Sequence, residues 1–155
     1  NSFLGFLNNI GNVTEQDIQK RELWPEIRIF NTCLSGACVL DDYMVGVTMM
    51  GIIERMFCEI SAIIGKNIVR RKWLSAEELT HYNLHADIDI KHSEDFFDVV
   101  KDSYDKSEEN KYHIEQGLKL GATLFYNLYK ELYISRERRS ERRYLGPHSR
   151  AEGIM

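Results

Sequence analysis

The sequence contains very little proline, with only 2 in 155 residues. Proline removes a backbone donor and breaks helices in their interior, so its scarcity leaves long helices uninterrupted. Strong helix formers dominate the remainder, and the length is sufficient for one domain with a buried core. We therefore expect an all-α protein.

Cysteine is also scarce, and its spacing excludes several kinds of site. The 3 cysteines form neither a CxxC pair nor a secreted disulfide framework, which favours reduced thiols in a cytoplasmic protein. Glu54 interrupts the most apolar stretch before it reaches the length of a membrane span, so we expect no membrane segment, and we expect no signal peptide. The net charge of -4 argues against nucleic acid as a partner.

Apolar periodicity and capping residues predict a series of helices. Glycine is expected to end several of them, and aspartate, serine or threonine to begin them. The predicted segments are 2–10 (ended by Gly11), a short helix capped by Thr14, 25–35 (ended by Ser35 and Gly36), 42–64 (capped by Asp41 or Asp42, ended by Gly65), 75–100 (opened by a capping box of Ser75 and Glu78) and 111–135. Residues 66–73 are expected to form a basic connection.

Three metal-binding side chains recur at one spacing in the fifth of these segments. His85, Asp89 and His92 occupy positions i, i+4 and i+7, which lie on one face of a helix. Two imidazoles and a carboxylate are a ligand set suited to Fe(II), Mn(II) or Zn(II). Because polar helix faces produce such triplets by chance, the spacing alone leaves a solvated face as an equal alternative.

Glu54 strengthens the metal hypothesis because it follows an uncharged run from Tyr43 to Ile53. A helix that is apolar all round is expected to be buried, and a buried carboxylate must be paired, protonated or bound to a metal. The alternative to a metal is an ion pair with a cation, for which the candidates are Arg70, Arg71 and Lys119.

The other polar residues are predicted to have lesser roles at the site or none. His81 and Tyr82 are candidates for groups that orient the ligands, although a surface position is the simpler prediction for His81 and core packing for Tyr82. His113 and His148 are not assigned to the predicted site. The arginine-rich segment 136–155 is interleaved with glutamates and is predicted to be a solvated tail.

Two motifs together resemble one known family. His85-xxx-Asp89-xx-His92 is similar to the HxxxDxxH signature of the haem-oxygenase-like diiron oxidases and oxygenases, which include the CADD-like proteins. The run from Gly51 to Glu54 is similar to the glycine-apolar-apolar-glutamate motif on the preceding core helix of that family. The interval between the two motifs also fits, and the resemblance extends to about residue 135.

The resemblance implies a haem-oxygenase-like bundle of seven helices whose core helices supply metal ligands inward. It implies iron, two ions in the family and Mn as the alternative, held here by Glu54, His85, Asp89 and His92. The implied activity is oxidation of a small organic substrate by O2, and a homodimer is compatible with it. The implied organisation is a partial domain over residues 1–135 followed by the basic tail.

The chain departs from the family on its N-terminal side. A glutamate and a histidine on an early helix complete the second iron site in the family, whereas no histidine precedes His81 here. We expect that the chain is the C-terminal part of a longer domain. A variant with one metal site is the alternative, with Glu15 and Glu22 as remote stand-ins for the missing carboxylates.

Two alternative functions come from different classes. Metal-free relatives of the same fold include TENA/thiaminase-like hydrolases and small-ligand-binding proteins. A hydrolase of that kind would need a cysteine nucleophile, and Cys58 lies one helical turn after Glu54. A haem protein is disfavoured, because the family places its axial histidine on an early helix.

Overall fold

The structure is a computed structural model that describes residues 2–21 and 23–136. Over these residues it is all-helical and contains no strand, as predicted. The elements are α1 (Ser2–Gly11), α2 (Glu15–Gln19), α3 (Pro25–Leu40), α4 (Tyr43–Arg70), α5 (Thr80–Lys101) and α6 (Glu108–Ile134). The predicted tail lies outside the described residues except for Arg136.

Two of the predicted helix starts are confirmed by capping hydrogen bonds, and a third by the position of a proline. The Thr14 side chain accepts from the backbone N–H of Asp17, whose carboxylate accepts from Thr14 in return. Asp42 Oδ1 accepts from the backbone of Met44 at 2.8 Å, so Asp42 rather than Asp41 begins α4. Proline occupies the first turn of α3, where its missing N–H leaves no bond unmade.

The central element is α4, which packs against both α5 and α6, while α3 covers the α4–α6 side. Gly51 of α4 lies against Phe96 and Phe97 near the end of α5, and Gly65 lies against Leu79 just before the start of α5. The two helices therefore run antiparallel. Gly117 and Gly121 lie in turn against Thr48 and Met49, which makes α6 parallel to α4. Glu54 therefore lies on the helix that has the most neighbours.

Two predicted helix ends are wrong, both at glycine. Gly36 lies inside α3, which continues to Leu40 because Leu34 and Ala37 pack into the core on either side of it. Gly65 lies inside α4, which continues to Arg70, so the predicted connection begins five residues too early. Gly65 is buried against Leu79, and its lack of a side chain permits that close approach.

The start of the histidine-bearing helix also differs from the prediction. The Ser75–Glu78 box forms, with Ser75 N donating to Glu78 Oε2 at 2.9 Å and Glu78 N lying 3.3 Å from Ser75 Oγ. It closes a separate turn, and α5 begins at Thr80. From there α5 runs without interruption to Lys101, which places His85, Asp89 and His92 on one continuous helix.

Candidate metal centre

The antiparallel contact between α4 and α5 brings the two motifs together. Near the centre of the contact, Cys58 Sγ lies 3.0 Å from the Ala86 carbonyl oxygen, which holds the two helices in register. One helical turn from Cys58 on α4 is Glu54, and about one turn from Ala86 on α5 is Asp89. The predicted meeting of Glu54 with the α5 motif is thus present in the structure.

Glu54, Asp89 and His92 form a group of three donors. Each offers one ligand atom, and these atoms lie within 4.8 Å of one another. His92 Nδ1 is 3.5 Å from Asp89 Oδ1 and 3.8 Å from Glu54 Oε2, distances that leave room between the donors. An imidazole and two carboxylates from two helices can hold a divalent first-row metal ion.

The fourth predicted ligand, His85, falls outside this group and contacts one of its members instead. His85 Nδ1 lies 3.1 Å from Asp89 Oδ1 and 3.0 Å from Asp89 Oδ2. An imidazole that donates to a carboxylate in this way fixes the orientation of that carboxylate. In this arrangement His85 acts as a positioning residue for Asp89.

The group contains two carboxylates, and its three members differ widely in their exposure to water. The Asp89 side chain is 1% exposed, whereas Glu54 and His92 are 25% and 46% exposed. Burial, followed by repulsion from Asp89, raises the pKa of Glu54, and attraction to His92 opposes that rise. Two carboxylates crowded together at the helix contact would be relieved by a cation between them.

The predicted alternative for Glu54, an ion pair with an arginine or lysine, is wrong. Arg70 donates to Asn67, Arg71 lies over the Trp73 ring, and Lys119 pairs with Glu115. Among the described residues, the basic side chain that pairs with Glu54 is His92.

His81 is buried, and the prediction of a surface position for it is therefore wrong. It is 8% exposed, and its ring lies 4.4 Å from the His85 ring and 4.9 Å from the Phe3 ring of α1. Burial, and then the neighbouring His85, lowers the pKa of His81. No pattern in the sequence indicates this burial, because the residues that cover that turn of α5 come from α1.

Tyr82 packs on the other side of the same turn, where its ring meets Phe6 edge-on at 4.8 Å. Core packing was the simpler prediction for it, and the structure agrees. Burial, with a smaller effect from Tyr82, raises the pKa of Tyr129 to about 12.

Glu54 also lines a cavity of about 190 Å³, which therefore adjoins the donor group. Phe57, which follows Glu54 by about one helical turn on α4, also lines this cavity. The lining residues are Phe30, Ile53, Glu54, Phe57, Phe125, Leu128 and Tyr129. A larger groove of about 520 Å³ lies elsewhere, where Phe97 and Val100 of α5 face Ile114 and Leu118 of α6.

Cys58 is expected to react slowly with thiol reagents while the chain is folded. Its thiol is buried and contacts the Ala86 carbonyl, and burial raises its pKa, so little thiolate is present at neutral pH. Cys33 and Cys38 are exposed. A chromogenic disulfide reagent should label two thiols quickly and the third only on unfolding, and Cys58→Ser should remove the slow phase. Rapid labelling of all three thiols would contradict this assignment.

The remaining candidate residues contribute nothing to the group. Glu15 is exposed in α2, far in sequence from the α4–α5 contact, and Glu22 lies outside the described residues. His113 lies on α6 beside Tyr112, and His148 also lies outside the described residues.

No family model, curated protein or solved structure matches this chain. The resemblance to the haem-oxygenase-like diiron proteins therefore remains a prediction from two motifs. Among the residues that the structure describes, no helix combines the length and apolar character needed to cross a membrane.

Proposed function

We propose that this protein is a non-haem iron enzyme, an oxidase or oxygenase that uses O2 to oxidise a small organic substrate. The observation that carries the proposal is the Glu54–Asp89–His92 donor group beside an apolar cavity that Glu54 itself lines. A metal site and a substrate-sized space that share a residue are what such a reaction requires.

The donor set fits a divalent iron ion. One nitrogen and two carboxylate oxygens suit Fe(II), and Mn(II) is the alternative. The two carboxylates offset the charge of the ion, and the buried Asp89 is held in place by His85. Iron bound there would supply the reduction of O2 and the oxidation of the substrate, which amino-acid side chains do not perform alone.

The protein's own residues would bind the substrate and exclude water. Phe57 and Phe125 line the cavity with aromatic surface, and Ile53 adds aliphatic surface from the turn that carries Glu54. An apolar wall keeps bulk water away from a reactive centre. His92, at the more exposed edge of the group, lies on the side from which solvent reaches the donors.

The donors within the described residues account for one ion. Over residues 2–21 and 23–136, the group of Glu54, Asp89 and His92 is the one set of three that could hold a metal. His85 contacts Asp89 and lies beside this set rather than in it. A second iron, as in the family that the motifs resemble, would need donors beyond this set.

The metal-free hydrolase is the less favoured function. Its nucleophile would be Cys58, whose thiol is buried, directed at the Ala86 carbonyl and held protonated by a raised pKa. These properties are the opposite of those that activate a catalytic thiol.

The test is anaerobic Fe(II) titration followed by metal analysis, with His92→Ala as the variant and His113→Ala as the matched control. We expect at least one iron per chain in the unaltered protein and in the control, and loss of that iron in the variant. Rapid O2 consumption by the loaded protein should accompany it. Equal iron retention by both variants, or no iron in the unaltered protein, would refute the proposal.

A further inference from the structure

The cavity beside Glu54 is walled by aromatic rings to an unusual degree. Of its seven lining residues, four are aromatic: Phe30, Phe57, Phe125 and Tyr129. The Phe57 and Phe125 rings meet edge-on at 6.5 Å, and the Phe125 and Tyr129 rings lie 4.9 Å apart. The rings therefore converge from α3, α4 and α6 rather than lying along one helix.

The polar atoms of the lining all attract positive charge. The side chains that contribute them are the Glu54 carboxylate and the Tyr129 phenol, and no lysine, arginine or histidine lines the cavity. Within the described part of the chain, the Tyr129 hydroxyl makes no hydrogen bond to another residue. A phenol oxygen and a carboxylate can both accept hydrogen bonds from an ammonium group.

We propose that this cavity binds a small organic ammonium compound, a primary amine with an apolar or aromatic body. Aromatic faces carry partial negative charge and attract cations, and a ring-lined pocket is a recognised way to bind an ammonium group. The Glu54 carboxylate and the Tyr129 oxygen accept the N–H bonds, and the phenylalanine rings contact the apolar body. The amine's role as the substrate rests on the function proposed above, whereas its binding does not.

The size of the cavity limits the ligand. Its volume of about 190 Å³ is below the range of roughly 300–1,000 Å³ typical of drug-sized ligands. It corresponds to about six water volumes at roughly 30 Å³ each. This volume suits a ligand of about the size of phenethylamine.

Glu54 can serve the metal and the amine together. A carboxylate has two oxygens, so one oxygen can face Asp89 and His92 while the other faces the cavity. An Fe(II) ion on the first oxygen would repel the ammonium group, so the amine should bind more tightly to the metal-free chain. In that metal-free chain, a carboxylate ligand would meet Glu54 with no compensating cation in the lining.

The test uses three matched compounds that differ in charge: phenethylamine, 2-phenylethanol and phenylacetate. Each is titrated calorimetrically into the full chain, first with EDTA and then after anaerobic Fe(II) loading. In the EDTA-treated chain we expect phenethylamine to bind about tenfold more tightly than 2-phenylethanol, and phenylacetate to bind most weakly. Methyl NMR shifts should appear at Ile53 and Leu128 rather than at Ile114 and Leu118, which line the larger groove.

Two variants with matched controls separate the contributions of the cavity. In the EDTA-treated protein, Glu54→Gln should remove the preference for the amine, while Glu59→Gln, an exposed position on the same helix, should retain it. Tyr129→Phe should weaken the amine several-fold more than the alcohol, and the exposed Tyr126→Phe should change neither.

The possible results distinguish this proposal from the iron proposal. Amine preference in a chain that binds no iron would support the ammonium site and refute the iron enzyme. A chain that binds iron but that shows, in EDTA, no amine preference, stronger binding of phenylacetate, or shifts at Ile114 and Leu118 would refute the ammonium site and leave the iron centre standing. Failure of all three compounds to bind at millimolar concentration would also refute the ammonium site.

Discussion

Asp89→Asn is expected to lower the affinity for Fe(II) by about 100-fold or more while the chain remains folded. Asp89 is the buried member of the donor group, and it contacts both His85 and His92. Asparagine keeps the shape of the side chain and can still bond to an imidazole. It lacks the negative charge that offsets a divalent ion, so the loss should fall on the metal and not on the packing.

The stability of the metal-free protein gives a second readout of the same change. Because Asp89 is fully buried and repels Glu54, its neutralisation should leave the melting temperature unchanged or raise it. Asp87→Asn is the matched control, since Asp87 is exposed on the same helix. If Asp89→Asn bound Fe(II) like the control, Asp89 would be a structural carboxylate and the metal assignment would fail.

The second large effect is expected on stability, for a substitution where α6 packs against α4. Gly117→Val should lower the free energy of unfolding by about 3 kcal/mol or more, a large share of the roughly 5–15 kcal/mol typical of a domain. Even a methyl group at Gly117 would overlap the Thr48 side chain and the Val45 carbonyl oxygen. Neither the buried threonine nor the helix backbone can move aside cheaply.

Gly36→Ala is the opposite case and serves as the control. Gly36 lies inside α3 with open space where a methyl group would be placed, so alanine should stabilise the helix by about 0.5–1 kcal/mol. Urea unfolding followed by circular dichroism measures both changes. A Gly117→Val protein as stable as the unaltered chain would mean that α6 does not pack against α4 as described.

Gly36 and Gly65 show how far the fold could be predicted from the sequence. The capping residue Asp42 and the apolar run after it predicted α4, because both signals are local. Gly36 and Gly65 resemble helix ends when the chain is read locally, but neighbouring helices hold both inside helices. Contacts between distant segments decided these positions, and a single sequence does not contain them.

The candidate site, too, could be predicted only in part from the sequence. Spacing on one helix predicted that Asp89 and His92 would share a face, and the apolar surroundings of Glu54 indicated that it had a special role. The burial of His81 depends on α1, and the cavity depends on Phe30 and Phe125 from helices whose packing the sequence did not specify. Periodicity therefore predicted the donors, but it did not predict the space beside them.

Gly51, three residues before Glu54, sets how closely α4 approaches α5. A methyl group at Gly51 would overlap the Phe97 ring, so this position holds the two helices close together one turn from the donors. The gap between Glu54 on one helix and Asp89 on the other is thus fixed by backbone spacing. Wider gaps suit larger ions, so in the proposed metal centre the choice among divalent cations would depend partly on a residue that has no side chain and donates nothing to the ion.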